Sequence, residues 1–126
     1  LSSFYNHKFS LGHVAMLVNE GIPQFIINNL KRDFNLKNKT VGLLGLTFKA
    51  DSDDTRDSLA IKLLALLKKR KIKTLYSDEY CKMKGMSERS DLVKKSDIII
   101  ISTPHKIYKR LKIPKHKKIV DIWGFR

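Results

Sequence analysis

At 126 residues with 42% hydrophobic side chains, the chain is long enough for one globular domain with a real core. A formal net charge of +14 points towards phosphate-rich partners such as nucleic acid or anionic lipid, but a basic surface is not specific for either. The single cysteine, Cys81, excludes an internal disulfide and fits a reducing cytoplasm, and no apolar run reaches the about 20 residues that span a bilayer.

The chain starts at Leu1 without an initiating methionine, which predicts a piece of a longer protein, although a processed chain would look the same. Val14, Leu17, Val18, Ile22, Phe25, Ile26 and Leu30 follow helical spacing and predict an amphipathic helix over residues 11–30, with one face needing a partner. Pro23 lacks the N–H owed to the carbonyl of Asn19, so a kink, or a break with a restart, is expected over residues 21–23. The polar run 31–40 reads as a connector. Residues 41–46 read as a buried strand and 58–71 as a helix so apolar in its early turns that it must be packed on more than one side. Its basic end, Lys68, Lys69, Arg70 and Lys71, stands where the helix dipole favours cations, which explains that run without a ligand.

A short strand over 73–77 and a short helix within 87–97 come next. The β-branched run "DIIIIS" then predicts a central parallel strand, and 118–122 a last one. Strand and helix alternate, so the expectation is an α/β fold: a Rossmann-like parallel sheet flanked by helices and preceded by a long N-terminal helix. Such sheets bind ligands at the carboxyl ends of their strands, here the loops 47–57, 78–80, 102–105 and 123–126.

The first of those loops holds the densest acidic cluster of a very basic chain. "VGLLGLTFKADSDDTRDS", residues 41–58, carries four aspartates with one lysine and one arginine. Gly42 and Gly45 do not have the spacing of a G-x-G-x-x-G fingerprint, so a dinucleotide site of the ordinary kind is weakly supported. The whole string, however, resembles the strand-to-loop signature of the UDP-glucose/GDP-mannose dehydrogenase family, in its carboxyl-terminal UDP-binding domain. There a strand ends in G-L-x-F-K, and D-D-x-R-[DE]-S opens the next helix; Phe48, Lys49, Asp53, Asp54, Arg56, Asp57 and Ser58 match with the spacing intact. "VNEGIPQFIINNL" is similar to the end of that family's central dimerisation helix, "YSDEY" to its V-Y-D-P-x strand end, "SDIIIISTPHKIYKRL" to its T-x-H segment and "IVDIWGFR" to its last strand.

The resemblance implies a division into residues 1–36, the end of the dimerisation helix region, and 37–126, the UDP-binding domain. It implies part of an NAD-dependent nucleotide-sugar 6-dehydrogenase of the UDP-glucose to UDP-glucuronate type, cytoplasmic and homodimeric, serving polysaccharide precursor synthesis, with no nucleic acid or membrane as partner. Carried over by position, Phe48 and Lys49 bind the UDP-sugar and Arg56 reaches NAD held mainly by an N-terminal domain not contained here. An ammonium and a forked guanidinium suit phosphate oxygens, and the loop's aspartates are expected to orient both, with Asp57 or Ser58 capping the following helix.

Two departures matter. The family's nucleophile lies in a G-x-C-F-P-K-D setting, whereas Cys81 in "DEYCKMK" reads as a small half-buried residue, so no catalytic residue is assigned and the chain alone is expected to be inactive. Many members also place an arginine just after the last strand's aspartate; Asp121 is followed instead by "IWG", leaving Arg126 to bind substrate from a shifted position or Trp123 to offer a stacking face. His105 either meets the ligand or caps a turn, and His7, His13 and His116 show no metal-ligand spacing, so no metal is expected. The alternatives are a basic nucleic-acid-binding module and a pure dimerisation module. Against the first, the positive charge is scattered and no aromatic-basic alternation appears.

Overall fold

A computed structural model describes residues 21–47, 49–51, 53, 55 and 58–124. Within them the order is α1 (Gly21–Asp33), β1 (Val41–Leu44), α2 (Leu59–Lys69), β2 (Thr74–Ser77), α3 (Arg89–Lys95), β3 (Ile98–Ile101), a 3₁₀ turn (Lys106–Tyr108) and β4 (Lys118–Asp121). The predicted α/β class and every predicted element downstream of residue 40 are present. The upstream part of the predicted first helix, with His7 and His13, lies outside the described residues, and Pro23 stands in the first turn of the described helix.

All four strands are parallel, in the order β2-β1-β3-β4. Val41 pairs with Thr74 on one side and Ile98 on the other, and Ile98 pairs with Lys118. β1 and β3 are central and buried along their whole length, because only uniformly apolar runs such as VGLL and IIII tolerate layers on both faces. Alternate residues serve the two layers. Val41, Leu43, Ile98, Ile100 and Val120 join α1 and α2 in one core through Ile26, Ile27, Leu30, Leu63 and Leu67. Leu44, Ile99 and Ile101 pack on the opposite face with Leu92 and Val93 of α3 and with Tyr108. Gly42 is needed there, since a Cβ would run into Leu92 of α3 and Ser96 just after it.

The chain moves from β1 outward to β2, then crosses β1 to form β3. The direction of winding therefore reverses between the carboxyl ends of β1 and β3, the switch point at which open α/β sheets leave a crevice.

Element ends differ from expectation for local reasons. β1 stops at Leu44 because Gly45 takes φ +97 and turns the chain, sending the Leu46 N–H to a side chain instead of a neighbouring strand. α1 runs three residues past Leu30, so the connector begins only at Phe34 and turns through Asn38 at φ 61. α2 begins behind Ser58, whose Oγ accepts the Ile61 N–H at 3.3 Å, one of the two caps, Asp57 or Ser58, that the sequence allowed. At its basic end, Lys68 lies over the Tyr76 ring at 4.7 Å, the Arg70 guanidinium donates to Gln24 at 2.7 Å, and Lys71 leaves the helix at φ 59. The Arg70 N–H goes to the Leu66 carbonyl, the closing bond of the helix, so the run has structural employment.

Candidate functional site

The backbone leaving β1 is held by hydroxyl groups, one after another. Ser102 Oγ reaches the carbonyls of Leu44 at 3.1 Å and Gly45 at 2.7 Å. Ser58 Oγ donates to the Leu46 carbonyl at 2.8 Å, Thr103 Oγ1 to the Thr47 carbonyl at 2.9 Å, and Thr47 Oγ1 to the Lys49 carbonyl at 2.9 Å. Ser58, Thr47, Ser102 and Thr103 are all buried, and several carbonyls are held twice: that of Leu44 also accepts the Ser102 N–H at 2.9 Å, and that of Thr47 also accepts from Ser58 Oγ at 3.3 Å. The result is a rigid arm at the switch point, at whose tip Lys49 stands exposed.

Asp78, at the carboxyl end of β2, and His105, after β3, complete the arm's support. Both are buried. Asp78 Oδ2 accepts the Leu46 N–H at 2.5 Å and faces His105 Nε2 at 2.9 Å, while Oδ1 accepts the Tyr80 N–H at 2.6 Å and the Cys81 N–H at 3.3 Å. Burial alone would push the Asp78 carboxyl up, but the His105 hydrogen bond and the Leu46 and Tyr80 N–H groups outweigh it and hold the carboxyl below its ordinary value.

Of the residues assigned from the sequence, Lys49 is described and stands exposed in the loop that follows β1. Phe48, Arg56 and Arg126 lie outside the described residues, as do Asp54 and Asp57. The expected task of the aspartates is corrected for Asp51. Its carboxylate accepts the Lys106 N–H at 3.0 Å and the Tyr80 hydroxyl at 3.2 Å, so it ties the arm to the neighbouring loops. His105 neither presents itself to a ligand nor caps through its side chain; it begins the 3₁₀ turn with its ring sealed in the interior. Trp123 is half-buried, with its indole N–H donating to the Ser102 carbonyl at 3.0 Å, so it braces the end of β3.

Cys81 is half-buried, and burial, with Asp78 and Asp53 nearby, pushes its thiol up to about 11. At neutral pH it is a thiol and not a thiolate, which agrees with a structural reading of this residue. Among the described residues no group of three or more His, Cys, Asp or Glu side chains is placed to hold a metal ion, and no helix is long and apolar enough to cross a membrane.

Beside the arm, an open cleft of about 480 Å³ follows β2, lined by Asp78, Tyr80, Met83, Met86 and Arg89 among others. Tyr80 stands at its edge, its ring centroid 4.5 Å from that of His105. Sequence reasoning missed the hydroxyl series and the Asp78–His105 pair. The signal was present in the polar residues that end each apolar run, Ser77 and Asp78 at the end of β2 and Ser102 to His105 after β3.

Comparison with known proteins agrees with this architecture. Residues 42–125 match the model of the UDP-glucose/GDP-mannose dehydrogenase family, UDP binding domain. A UDP-N-acetyl-D-mannosamine dehydrogenase of Pyrococcus horikoshii is 28% identical over 133 aligned residues, covering 96% of this chain and 31% of that protein. A GDP-mannose 6-dehydrogenase of Pseudomonas aeruginosa is also 28% identical, over 78% of this chain and 28% of its own. The solved structure of a UDP-glucose dehydrogenase from Pyrobaculum islandicum has the same fold, with a TM-score of 0.71 over 86% of this chain and 27% of its own at 24% identity. The chain thus spans less than a third of the length of these relatives.

Proposed function

The chain belongs to the UDP-glucose/GDP-mannose dehydrogenase family, and from that premise we propose that it is the nucleotide-sugar-binding part of an NAD-dependent 6-dehydrogenase, which oxidises the sugar C6 alcohol to a carboxylate. Residues 37–126 form the UDP-sugar domain in this reading, and 1–36 end a central helix through which a cytoplasmic homodimer assembles. The observation that carries it is the rigid arm at the β1/β3 switch point with Lys49 exposed at its tip. An ammonium held there meets phosphate or sugar oxygens without first having to order its backbone. Phe48 and Arg126 are the further substrate contacts we propose.

The described residues do not fit NAD as a resident cofactor. In a dinucleotide site the glycines after the first strand leave room for the pyrophosphate. Here the room at Gly45 is filled by Thr103 and that at Gly42 by Leu92 and Ser96. The cofactor, together with the nucleophilic cysteine of the two-step oxidation, therefore belongs in this reading to sequence outside these 126 residues, with Arg56 reaching across to it.

The experiment is calorimetry on the native protein containing this chain, titrated with UDP-glucose, UDP-N-acetylmannosamine and GDP-mannose. Binding of at least one is expected, with Lys49→Ala weakening it about 10- to 100-fold, the worth of one charge-assisted hydrogen bond. Unchanged affinity of the alanine variant would remove Lys49 from the substrate site. Absence of binding to all three would leave a dimerisation module.

A further inference from the structure

We propose that His105 is a positioning residue for the nucleotide sugar, which it never touches: one buried, neutral imidazole anchors the arm on both sides of Lys49. The inference rests on the substrate reading above and adds to it the device that holds Lys49 in place.

The protonation state of the ring follows from its partners. The Asp51 backbone N–H points at His105 Nδ1 at 2.8 Å. A backbone amide can only donate, so Nδ1 is bare and accepts. A neutral imidazole then carries its proton on Nε2, where the Asp78 carboxylate waits at 2.9 Å and Thr47 Oγ1 lies at 3.3 Å. This leaves the Thr47 hydroxyl proton for the Lys49 carbonyl. Every polar atom in the set thus has a partner of the right kind, which is what a dry interior requires.

The two anchors stand at equal distances along the chain from Lys49. Two residues before it, Thr47 touches Nε2; two residues after it, Asp51 gives its N–H to Nδ1. Asp51 has φ 54, a left-handed conformation that a non-glycine residue keeps only when its surroundings enforce it. The bond to Nδ1 is one of the enforcing contacts, and the Lys106 N–H on the Asp51 carboxylate is another. Without the imidazole the residues that flank Lys49 lose their shared support, and the ordering cost of the loop falls on ligand binding.

Two substitutions divide the ring into its halves. Asparagine can place its Oδ1 where Nδ1 was and go on accepting the Asp51 N–H. Glutamine can place its amide nitrogen where Nε2 was and go on meeting Asp78, but it gives Asp51 nothing. In the native protein, His105→Gln is expected to raise the KM for the nucleotide sugar about tenfold with little change in kcat, and His105→Asn to recover most of that loss. Equal KM values for His105→Gln and wild type would overturn the proposal, as would KM changes in the two variants that merely follow their losses in Tm.

Nitrogen NMR of the wild-type ring supplies a test that needs no variant. It should show an unprotonated Nδ1 and a protonated Nε2 at neutral pH, and the opposite tautomer or a doubly protonated ring would also overturn it. Lys49→Ala is measured alongside. If it binds nucleotide sugar like wild type, the substrate reading falls and takes the proposal with it; if it binds weakly while His105→Gln binds normally, only the positioning role is lost.

Discussion

Gly45→Ala is expected to lower stability by about 2–5 kcal/mol, combining the left-handed backbone cost of about 1–2 kcal/mol with an overpacking cost of about 1–3 kcal/mol. Two independent effects meet at this residue. Its φ of +97 lies in a region that side chains rarely adopt, and an added Cβ would stand 2.7 Å from the Thr103 backbone nitrogen, closer still to the Thr103 side chain. Neither neighbour can yield cheaply. Thr103 is buried, and its hydroxyl holds the Thr47 carbonyl, so pushing it away disturbs the arm that carries Lys49. A fall in melting temperature of roughly 6–30 °C follows for a domain of this size. Gly21 is the control, since nothing lies within 4 Å of its missing Cβ and it sits in α1; alanine there should be neutral or stabilising by up to about 1 kcal/mol. Thermal unfolding of the two variants side by side checks the argument, and similar melting temperatures for both would refute it.

The sheet was legible because its signals are local. "DIIIIS" and "VGLL" can hardly be anything but strands buried on both faces, and the intervening helices make the parallel arrangement necessary. A cap at Asp57 or Ser58 was legible for the same reason, since the Ser58 Oγ that forms it lies three residues from its N–H partner. Lys49 came into view through a motif and not through physics, since composition cannot distinguish an exposed loop lysine from a phosphate ligand. What could not be read was the support beneath it. His105 and Asp51 are 54 residues apart, and Leu46 and Asp78 are 32 apart. Their meeting depends on which strand ends are neighbours and on a two-residue shortening of β1 at Gly45. The aspartates illustrate the difficulty: an acidic cluster beside a lysine suggests ion pairing, yet Asp51 turns to Tyr80 and Lys106, because backbone N–H groups left over at a turn compete for carboxylates as effectively as a solvated ammonium does.

The same accounting identifies Asp78 as the side chain whose charge the fold uses most, and Asp78→Asn should cost about 3 kcal/mol or more although it preserves shape. Both carboxylate oxygens accept: Oδ2 from Leu46 and His105, Oδ1 from Tyr80 and Cys81. An asparagine must turn its NH₂ towards one of these pairs. Facing Leu46 it sets donor against donor, and His105 cannot reverse its tautomer to help while the Asp51 N–H occupies Nδ1. Facing Tyr80 it meets two further N–H groups. The sign of the pH effect follows from the lowered carboxyl of the folded state. A carboxyl that ionises more readily when folded contributes its stabilisation in full above its unfolded value, near 3.9, and loses it as pH falls through the folded value. The stability difference between wild type and Asp78→Asn should therefore be constant from pH 7 to about 5 and shrink below about pH 4. Urea denaturation of both proteins across that range measures it, and a difference that stays constant down to pH 3 would show that the Asp78 charge is not what the four donors require.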